Sequence, residues 1–347
     1  MTSESEMQDP DMPSPETRQT LIDLIMGFRF TQMIRAAARL GIADLLKNGP
    51  ESVDALAQAT GAHAPSLYRL LRALASIGVF AEDEQGRFGL TPMAQLLQAE
   101  VPGSQRARAL TFGDEPEWRT WGNLLYSVTT GESAFRHLYG MDPWEQRAED
   151  PEAGANFDDV MTANSVVQGV AVIAAYDFSG IGTLVDVAGG HGALISAILR
   201  ANPQLRGILC DAPHVIARAH ALLEAEGVAD RCAVVPCDFF SSVPSGGDAY
   251  MLKHIIHDWD DAEALLILKN CRREMPENGR LLLVENVIPP GNDPHPGKLL
   301  DIEMLAKLGG KERTEEEFRT LLDEAGFKLN RIVPTQFSIS VIEAVPV

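Results

Sequence analysis

Glycine and carboxylate side chains stand together where one predicted strand ends and a predicted helix begins. The segment TLVDVAG predicts a strand that contains Asp186, and three glycines follow it, Gly189, Gly190 and Gly192. Glycines let a backbone turn sharply and approach a ligand closely at a helix N-terminus. Because such clusters also occur in ordinary turns, the glycines alone are weak evidence. They nevertheless mark a candidate ligand-binding loop.

Two further carboxylates indicate which kind of ligand this loop would bind. Asp211 ends the next predicted strand, where a carboxylate can accept hydrogen bonds from both hydroxyls of a ribose. Asp238 ends the third strand and could accept from the exocyclic amine of an adenine, against which Phe239 could pack. Each residue alone is more simply a cap or a core side chain. Together they favour a nucleoside, and since the sequence has no Walker lysine loop, we expect S-adenosylmethionine as the cofactor, with S-adenosylhomocysteine as its product.

A candidate general base follows the fourth predicted strand. Lys253 stands at the strand end in LKHIIHDW, and His257 follows it. Glu285 ends the fifth strand, and Glu312 lies in GGKERT. Either carboxylate could hydrogen-bond one ring nitrogen of the histidine, fix its tautomer and leave the other nitrogen free as a base. The histidines and carboxylates do not look like a compact ligand set, so no metal is expected.

The elements that must position these residues alternate regularly from Gly182 onwards. Strand and helix patterns follow one another, which predicts an α/β fold with a mostly parallel sheet and helices on both faces. The two closing strands are expected to add an antiparallel edge strand. In such a sheet ligands bind beyond the carboxyl ends of the strands. We therefore expect residues 177–347 to form the catalytic domain.

The N-terminal part of the chain is predicted to be mainly helical. Residues 1–16 form an acidic tail that we expect to be disordered. Residues 17–103 contain a helix, a turn, a second helix and two short strands, the pattern of a winged helix. The helix near its start is apolar around much of its circumference, which favours burial by a second chain and hence a homodimer.

The net negative charge of the chain disfavours binding to nucleic acid or to a membrane surface. The chain carries a net charge of −20, and residues 18–100 contain eight basic and eight acidic residues. A surface of that charge repels phosphates and anionic lipids. The sequence also lacks a membrane-spanning apolar run, a secretory signal and a pair of cysteines in C-x-x-C spacing. We therefore expect a cytoplasmic protein.

Aromatic residues concentrate in residues 104–176, the predicted helical connector. Single rings are more often core than ligand contacts, but the cluster could wall a flat apolar acceptor. The candidate acceptor pocket consists of Trp118, Trp121, Phe135, Trp144, Phe157 and Asn164.

The motifs DVAGGHG, CDAPHVI, CDFF, LKHIIHDWDD, VEN and GGKERT, in this order, resemble those of plant caffeic-acid-type and bacterial natural-product O-methyltransferases, and of the hydroxyneurosporene methyltransferase group. The resemblance covers roughly residues 18–345. It implies a Rossmann-like methyltransferase sheet, an N-terminal winged-helix dimerisation domain, and methyl transfer to a hydroxyl group of an aromatic small molecule.

The resemblance also implies roles for individual residues. The base would be His257, flanked by Glu285 and Glu312. The residues implied to bind S-adenosylmethionine are Ala188, Gly189, Gly190, Gly192, Asp211, Asp238, Phe239 and Lys253. Ala188 departs from the family, which usually has a glycine there. We expect binding to survive this change if Ala188 keeps φ below zero.

Two other functions remain open from the sequence. The first is an enzyme of the same fold that methylates nitrogen or carbon, or that uses the cofactor differently. The second is a winged-helix regulator with a ligand-sensing domain, which the charge balance disfavours.

Overall fold

The computed structural model describes residues 13–347, and the chain divides between Glu117 and Trp118 into two compact units. The predicted disordered tail lies mostly outside the described residues. Helices of the first unit are α1 (Pro15–Met26), α2 (Phe28–Arg39), α3 (Ile42–Leu45), α4 (Val53–Thr60), α5 (Ala64–Ser76), α6 (Pro92–Gln95) and α7 (Arg106–Phe112). Its strands are β1 (Glu51–Ser52), β2 (Phe80–Glu82) and β3 (Arg87–Leu90).

The first unit contains the predicted helix, turn, helix and hairpin. Ser52 caps α4 through its hydroxyl, and Gly61 ends that helix with φ of +72°. The hairpin of β2 and β3 turns at Gly86, and β1 adds a third strand to it. The core of this unit is formed by fully buried apolar side chains such as Leu71 and Phe88.

Helix α1 buries none of its residues within the chain. Leu21, Leu24 and Ile25 are all more than half exposed. Because an apolar surface of this kind is unfavourable in water, it is typical of a face that another protein surface covers.

The second unit carries the large sheet. Its helices are α8 (Glu115–Gly122, beginning just before the division), α9 (Leu124–Thr130), α10 (Ala134–Tyr139), α11 (Pro143–Glu149), α12 (Pro151–Ala175), α13 (Ala193–Ala201), α14 (Pro213–Ile216), α15 (Ala219–Ala225), α16 (Asp261–Glu274), α17 (Pro296–Lys307) and α18 (Glu315–Glu324). Its strands are β4 (Thr183–Val187), β5 (Arg206–Asp211), β6 (Cys232–Pro236), β7 (Ala249–Lys253), β8 (Arg280–Asn286), β9 (Phe327–Pro334) and β10 (Ile339–Pro346). Between residues 13 and 347, no helix is both long and apolar enough to cross a bilayer.

The seven strands are ordered β6-β5-β4-β7-β8-β10-β9, and the first five are parallel. The predicted mostly parallel sheet is therefore confirmed. The closing hairpin adds antiparallel strands at one edge, as predicted: β10 is antiparallel to both β8 and β9 and lies between them, so β9 forms the edge. Burial agrees with this order, because residues 339–344 of β10 are all buried whereas β9 exposes part of its length.

The chain order of the strands reverses at β4, since β5 lies on one side of it and β7 on the other. The loops after β5, β4, β7 and β8 therefore leave the sheet side by side at its carboxyl edge. A crevice at such a switch point is where open α/β sheets bind ligands.

Candidate active site

His257 lies in a short 3-10 turn, Ile256–Asp258, just after β7, and its side chain is buried. Its Nδ1 lies 2.7 Å from Oε1 of Glu312. Oε2 of Glu285 lies 3.8 Å from the same nitrogen, and Oδ1 of Asp258 lies 3.3 Å from Nε2. Of the two carboxylates that the sequence put forward, Glu312 is therefore the one that hydrogen-bonds the ring.

The turn that carries His257 is held from two sides through its backbone. Oε1 of Glu285 accepts the N–H groups of Ile255 and Ile256, at 3.0 and 2.9 Å. The guanidinium of Arg313 is fully buried and donates to the carbonyls of Ile256 and Trp259, at 2.8 and 3.0 Å. Sequence reasoning missed Arg313, although it follows Glu312 directly in GGKERT.

The second glycine of GGKERT packs against the same turn. A Cβ added to Gly310 would lie 2.1 Å from the carbonyl oxygen of His257 and 2.4 Å from the carbonyl carbon of Asp258. Its φ is not in the left-handed region, so the requirement is for space. This one motif thus supplies a backbone contact, the ring partner Glu312 and the turn-holding Arg313.

The charges around His257 favour its protonated form. Burial works to lower the pKa of the ring, but Glu285, Asp258 and Glu312 outweigh it and raise the pKa to about 10. Burial also raises the pKa of Asp258 to about 7. These carboxylates therefore stabilise a proton on the ring. The neutral ring, which can act as a base, forms when another positive charge in the site lowers the pKa of His257.

The loop after β4 is tightly packed. A Cβ on Gly189 would lie 2.5 Å from both Oδ2 of Asp186 and Cδ1 of Leu209. Gly190 and Gly192 have φ of +61° and +85°, and Gly192 caps the start of α13. Glycine is therefore required at these positions for space or for conformation.

Cofactor binding was expected to survive the alanine at position 188 if its φ were negative. This condition is not met, because the φ of Ala188 is +55°. Left-handed backbone costs an L-residue roughly 1–2 kcal/mol. The alanine adopts this conformation where the family usually has glycine, so the loop carries strain.

Asp211 holds this loop in place. Its Oδ2 accepts the N–H of Gly190 at 2.8 Å, and its Oδ1 accepts the N–H of Ala212 at 2.6 Å. Burial raises the pKa of Asp211 above its usual range, and these two bonds oppose the rise. The carboxylate thus fixes the glycine loop through the backbone.

Asp238 and Phe239 are placed differently from each other. Asp238 is exposed and closes a turn, accepting the N–H of Phe240 at 3.0 Å and the hydroxyl of Ser241 at 2.7 Å. The ring of Phe239 packs edge-on against Trp259, with centroids 6.1 Å apart. In this structure the carboxylate is a turn cap, and the ring joins an aromatic cluster beside the His257 turn.

The chain is similar to known proteins along most of its length. Residues 121–328 match the O-methyltransferase domain, and residues 22–100 match the O-methyltransferase dimerisation domain. The phenazine O-methyltransferase PhzM of Lysobacter antibioticus is 46% identical over 94% of this chain and 96% of its own. The chain belongs to the O-methyltransferase family. It is an S-adenosylmethionine-dependent methyltransferase of natural-product biosynthesis, and the family needs no metal.

Two further relatives bear on the ligand and on the reaction. A structure of an O-methyltransferase from neocarzinostatin biosynthesis, in complex with S-adenosylmethionine and 2-hydroxy-5-methyl naphthoic acid, is 33% identical. Its TM-score is 0.80, over 92% of this chain and 96% of that one. The phenazine-1-carboxylate N-methyltransferase of Pseudomonas aeruginosa is also 33% identical, over 94% of this chain and 96% of its own. Similarity alone therefore does not distinguish oxygen from nitrogen as the acceptor atom.

The residues of this methyltransferase fit the methyl donor. Oδ2 of Asp186 is buried beside Gly189 and has no hydrogen-bond partner among residues 13–347. Burial raises the pKa of Asp186 to about 7, and the charge of Lys253 on the neighbouring β7 opposes this. A buried acceptor without a donor is costly. The ammonium group at the amino-acid end of S-adenosylmethionine is a donor of the kind that this oxygen requires.

His254 is a site residue that sequence reasoning did not single out. Its ring lies 4.9 Å from the ring of His257, and its Nδ1 lies 3.6 Å from Oε2 of Glu285. Burial lowers the pKa of His254 to about 4. The sequence predicted that the histidines and carboxylates would not form a compact set, and this was wrong. Potential metal-ligand atoms of His254, His257 and Glu285 all lie within 4.8 Å of one another. The spacing of the two histidines in LKHIIHDW was the available signal.

The predicted acceptor residues of this methyltransferase fall into separate groups. Trp144 and Phe157 pack edge-on with centroids 5.6 Å apart, and the Arg147 guanidinium lies 3.7 Å from the Phe157 ring centre. Phe135 is buried against Tyr139. Trp118 and Trp121 lie on α8 and are 40% and 41% exposed. Asn164 lies half-buried on α12.

Proposed function

We propose that this methyltransferase transfers the methyl group of S-adenosylmethionine to a hydroxyl group, most simply a phenol, of a flat aromatic small molecule, with His257 as the general base. The observation that carries the proposal is the 2.7 Å contact between Nδ1 of His257 and Glu312. That contact commits Nδ1 to a carboxylate, so Nε2, which faces Oδ1 of Asp258 at 3.3 Å, is the nitrogen that would accept a proton from an acceptor.

The cofactor would be held at the carboxyl edge of the sheet by the glycine loop, Asp186, Asp211, Asp238, Phe239 and Lys253. When bound, it supplies an electrophilic methyl group on a positively charged sulfur. The protein residues have two tasks: to hold the acceptor oxygen in line with that methyl group, and to remove the hydroxyl proton as the bond forms.

The electrostatics of His257 suit that proton transfer. The three surrounding carboxylates stabilise the imidazolium that forms when Nε2 takes the proton. A phenol has an ordinary pKa of about 10, so it needs such a base at neutral pH. The pKa of His257 would be lowered by the positively charged sulfur of the bound cofactor. The neutral ring would then be ready to accept the proton. General-base catalysis of this kind contributes about 10²–10⁴ in rate.

Nitrogen methylation is the second candidate, because relatives at 33% identity include an N-methyltransferase of a phenazine and an N,N-dimethyltransferase of a riboflavin derivative. A neutral aromatic nitrogen attacks without first losing a proton, so it would not depend on His257 as a base. The two functions therefore predict different effects of the same substitution.

The test uses labelled S-adenosylmethionine and paired acceptors, hydroxy- and amino-substituted phenazines and naphthalenes, with product positions mapped by mass spectrometry. We expect label on the hydroxyl compounds, and a loss of about 10²-fold or more in kcat for His257→Ala with little change in cofactor affinity. His220→Ala, which changes an exposed histidine on α15, is the control. Full activity of His257→Ala, or label only on nitrogen, would contradict the proposal.

We also propose that the enzyme works as a homodimer through its N-terminal helices. The match to the dimerisation domain and the exposed apolar side chains of α1 support this.

A further inference from the structure

A line of polar side chains runs from the cofactor side of the site to Glu285, which lies beside the ring of His257. Nζ of Lys253 donates to Oε1 of Gln168 on α12, at 3.4 Å. The amide nitrogen of Gln168 lies 3.2 Å from Nε2 of His254. Nδ1 of His254 faces Oε2 of Glu285 at 3.6 Å. The four side chains come from α12, β7, the residue after β7, and β8.

The chemistry of each group fixes the direction of these contacts. A lysine ammonium can only donate, so Oε1 of Gln168 accepts from it and the amide N–H groups face His254. Nε2 of His254 must then accept. Because burial keeps this ring neutral, its one proton lies on Nδ1, which points at Glu285.

Two buried atoms at the end of this line have no hydrogen-bond partner among the described residues. They are Nδ1 of His254 and Oε2 of Glu285. The Glu285 oxygen lies almost equally far from two rings, 3.6 Å from Nδ1 of His254 and 3.8 Å from Nδ1 of His257. The two rings therefore compete for this carboxylate oxygen.

The backbone of His254 is strained in a way that serves this contact. Its φ is +54°, in the left-handed region that costs a residue other than glycine roughly 1–2 kcal/mol. Such a conformation persists where the surrounding contacts over-determine it. Here Gln168 and Glu285 lie at the two ring nitrogens.

We propose that His254 is a positioning residue for methyl transfer: its Nδ1–H draws the free oxygen of Glu285 away from His257, so that Glu312 remains the hydrogen-bond partner of the His257 ring. Gln168 fixes the tautomer of His254 that makes this possible, and through Gln168 the arrangement is joined to Lys253. The inference rests on the proposed function, in which His257 is the base.

The other charges that face His257 come from different elements. Glu312 lies in the segment between α17 and α18, Asp258 lies in the turn itself, and Arg147 on α11 acts on Asp258. Of the three carboxylates, Glu285 is the one that two imidazoles share. A change at His254 therefore alters the balance at His257 through Glu285.

His254→Phe keeps a ring of similar size and removes both nitrogens, and His220→Phe is the matched control on an exposed face. With a hydroxyl acceptor, we expect kcat of His254→Phe to fall about tenfold or more, since small misplacements of reacting groups are costly. KM for S-adenosylmethionine should stay within about twofold. The acidic limb of the kcat profile should move to higher pH, because the full charge of Glu285 then stabilises the His257 imidazolium. Wild-type kcat and an unmoved limb would overturn the proposal.

A second readout does not depend on turnover. In protein labelled with ¹⁵N-histidine, the imidazole signals of His257 should titrate at higher pH in His254→Phe and remain unchanged in His220→Phe. Superimposable His257 signals in His254→Phe and wild type would overturn the proposal. If His254→Phe does not fold, Gln168→Leu is used: it removes the donor to His254 and should shift the same signals in the same direction, and no shift would again overturn it.

The two proposals fail in different ways. Absence of transfer from the wild type to every hydroxyl acceptor, or full activity of His257→Ala, contradicts the proposed function. The ¹⁵N comparison still decides whether His254 positions the ring of His257.

Discussion

Ala188 and His254 follow two adjacent strands, β4 and β7, and have nearly the same left-handed backbone, with φ of 55° and 54°. Within residues 13–347 they are the two residues other than glycine with positive φ. Both lie at the carboxyl edge of the sheet, beside the candidate site. Backbone strain in this protein is therefore concentrated where the cofactor and the base are expected, which is where strain tends to be retained.

Ala188→Gly should stabilise the protein. Removing the methyl group relieves the left-handed strain, while glycine loses part of the gain through the greater freedom of the unfolded chain. The net effect should be about 0.5–1 kcal/mol, seen as a rise of about 1–3 °C in Tm. Urea unfolding followed by circular dichroism measures it. A less stable variant would show that the alanine is not strained.

Gly189→Ala, one residue further on, should weaken the binding of S-adenosylmethionine. Its Cβ would meet Asp186 and Leu209 at 2.5 Å, so the loop must move. We expect S-adenosylmethionine affinity, measured by isothermal titration calorimetry, to fall by about tenfold or more, which corresponds to about 1.4 kcal/mol. His220→Ala, which changes an exposed histidine on α15, serves as its control and should bind as the wild type does. Unchanged affinity in Gly189→Ala would place the cofactor elsewhere.

Glu312→Gln should shift the pH dependence of activity. The carboxylate helps to raise the pKa of His257, so removing its charge lowers that pKa. The acidic limb of the kcat profile should move to lower pH, because the ring loses its proton earlier. The rate above the limb should fall, because the imidazolium formed during transfer is less stable. A profile with an unmoved limb would mean that His257 does not titrate in catalysis.

Glu343→Gln should reduce the loss of stability in acid. Burial opposes ionisation of Glu343, but hydrogen bonds from Tyr176, Arg331 and Asn330 outweigh it and hold its pKa below the usual 4.5. A lowered folded-state pKa stabilises the protein above the unfolded-state pKa, and this contribution is lost as pH falls through the folded-state value.

The glutamine variant should be less stable at pH 7 by about 1–2 kcal/mol, because a neutral amide accepts these bonds more weakly than a carboxylate does. Its Tm should then fall less than that of the wild type as pH drops below 4.5. Parallel Tm curves for the two proteins would contradict the assignment.

Leu24→Glu should weaken dimerisation. Leu24 is 75% exposed on α1, within the match to the dimerisation domain, and a charge there cannot be buried cheaply against a second chain. Light scattering should show a lower mass at micromolar concentration. Leu266→Glu, at a partly exposed position on α16, should leave the mass unchanged. Equal masses for both variants would place the interface away from α1.

The strand ends were predictable because alternation of strand and helix fixes which residues share an edge. The same alternation places Glu285 at the end of the strand next to the one that precedes His257, whereas the place of Glu312 came from the resemblance of its motif. It could not decide between the two glutamates, because the choice depends on distances of 2.7 and 3.8 Å that follow from side-chain rotamers.

Other features depend on conformation that a pattern of residue types does not encode. The role of His254 depends on a left-handed backbone, and the same is true of the strain at Ala188.

The turn carrying His257 is fastened by Glu285 from the sheet and by Arg313 from the segment before α18, whereas Trp144, Phe157 and Asn164 come from α11 and α12. We infer that the residues that act on the acceptor proton and the residues that would face the acceptor ring come from separate parts of the chain. Laboratory evolution toward new acceptors should accordingly tolerate variation at Trp144, Phe157 and Asn164 but not at Gln168 on α12, while libraries that randomise the GGKERT segment should return mostly inactive clones.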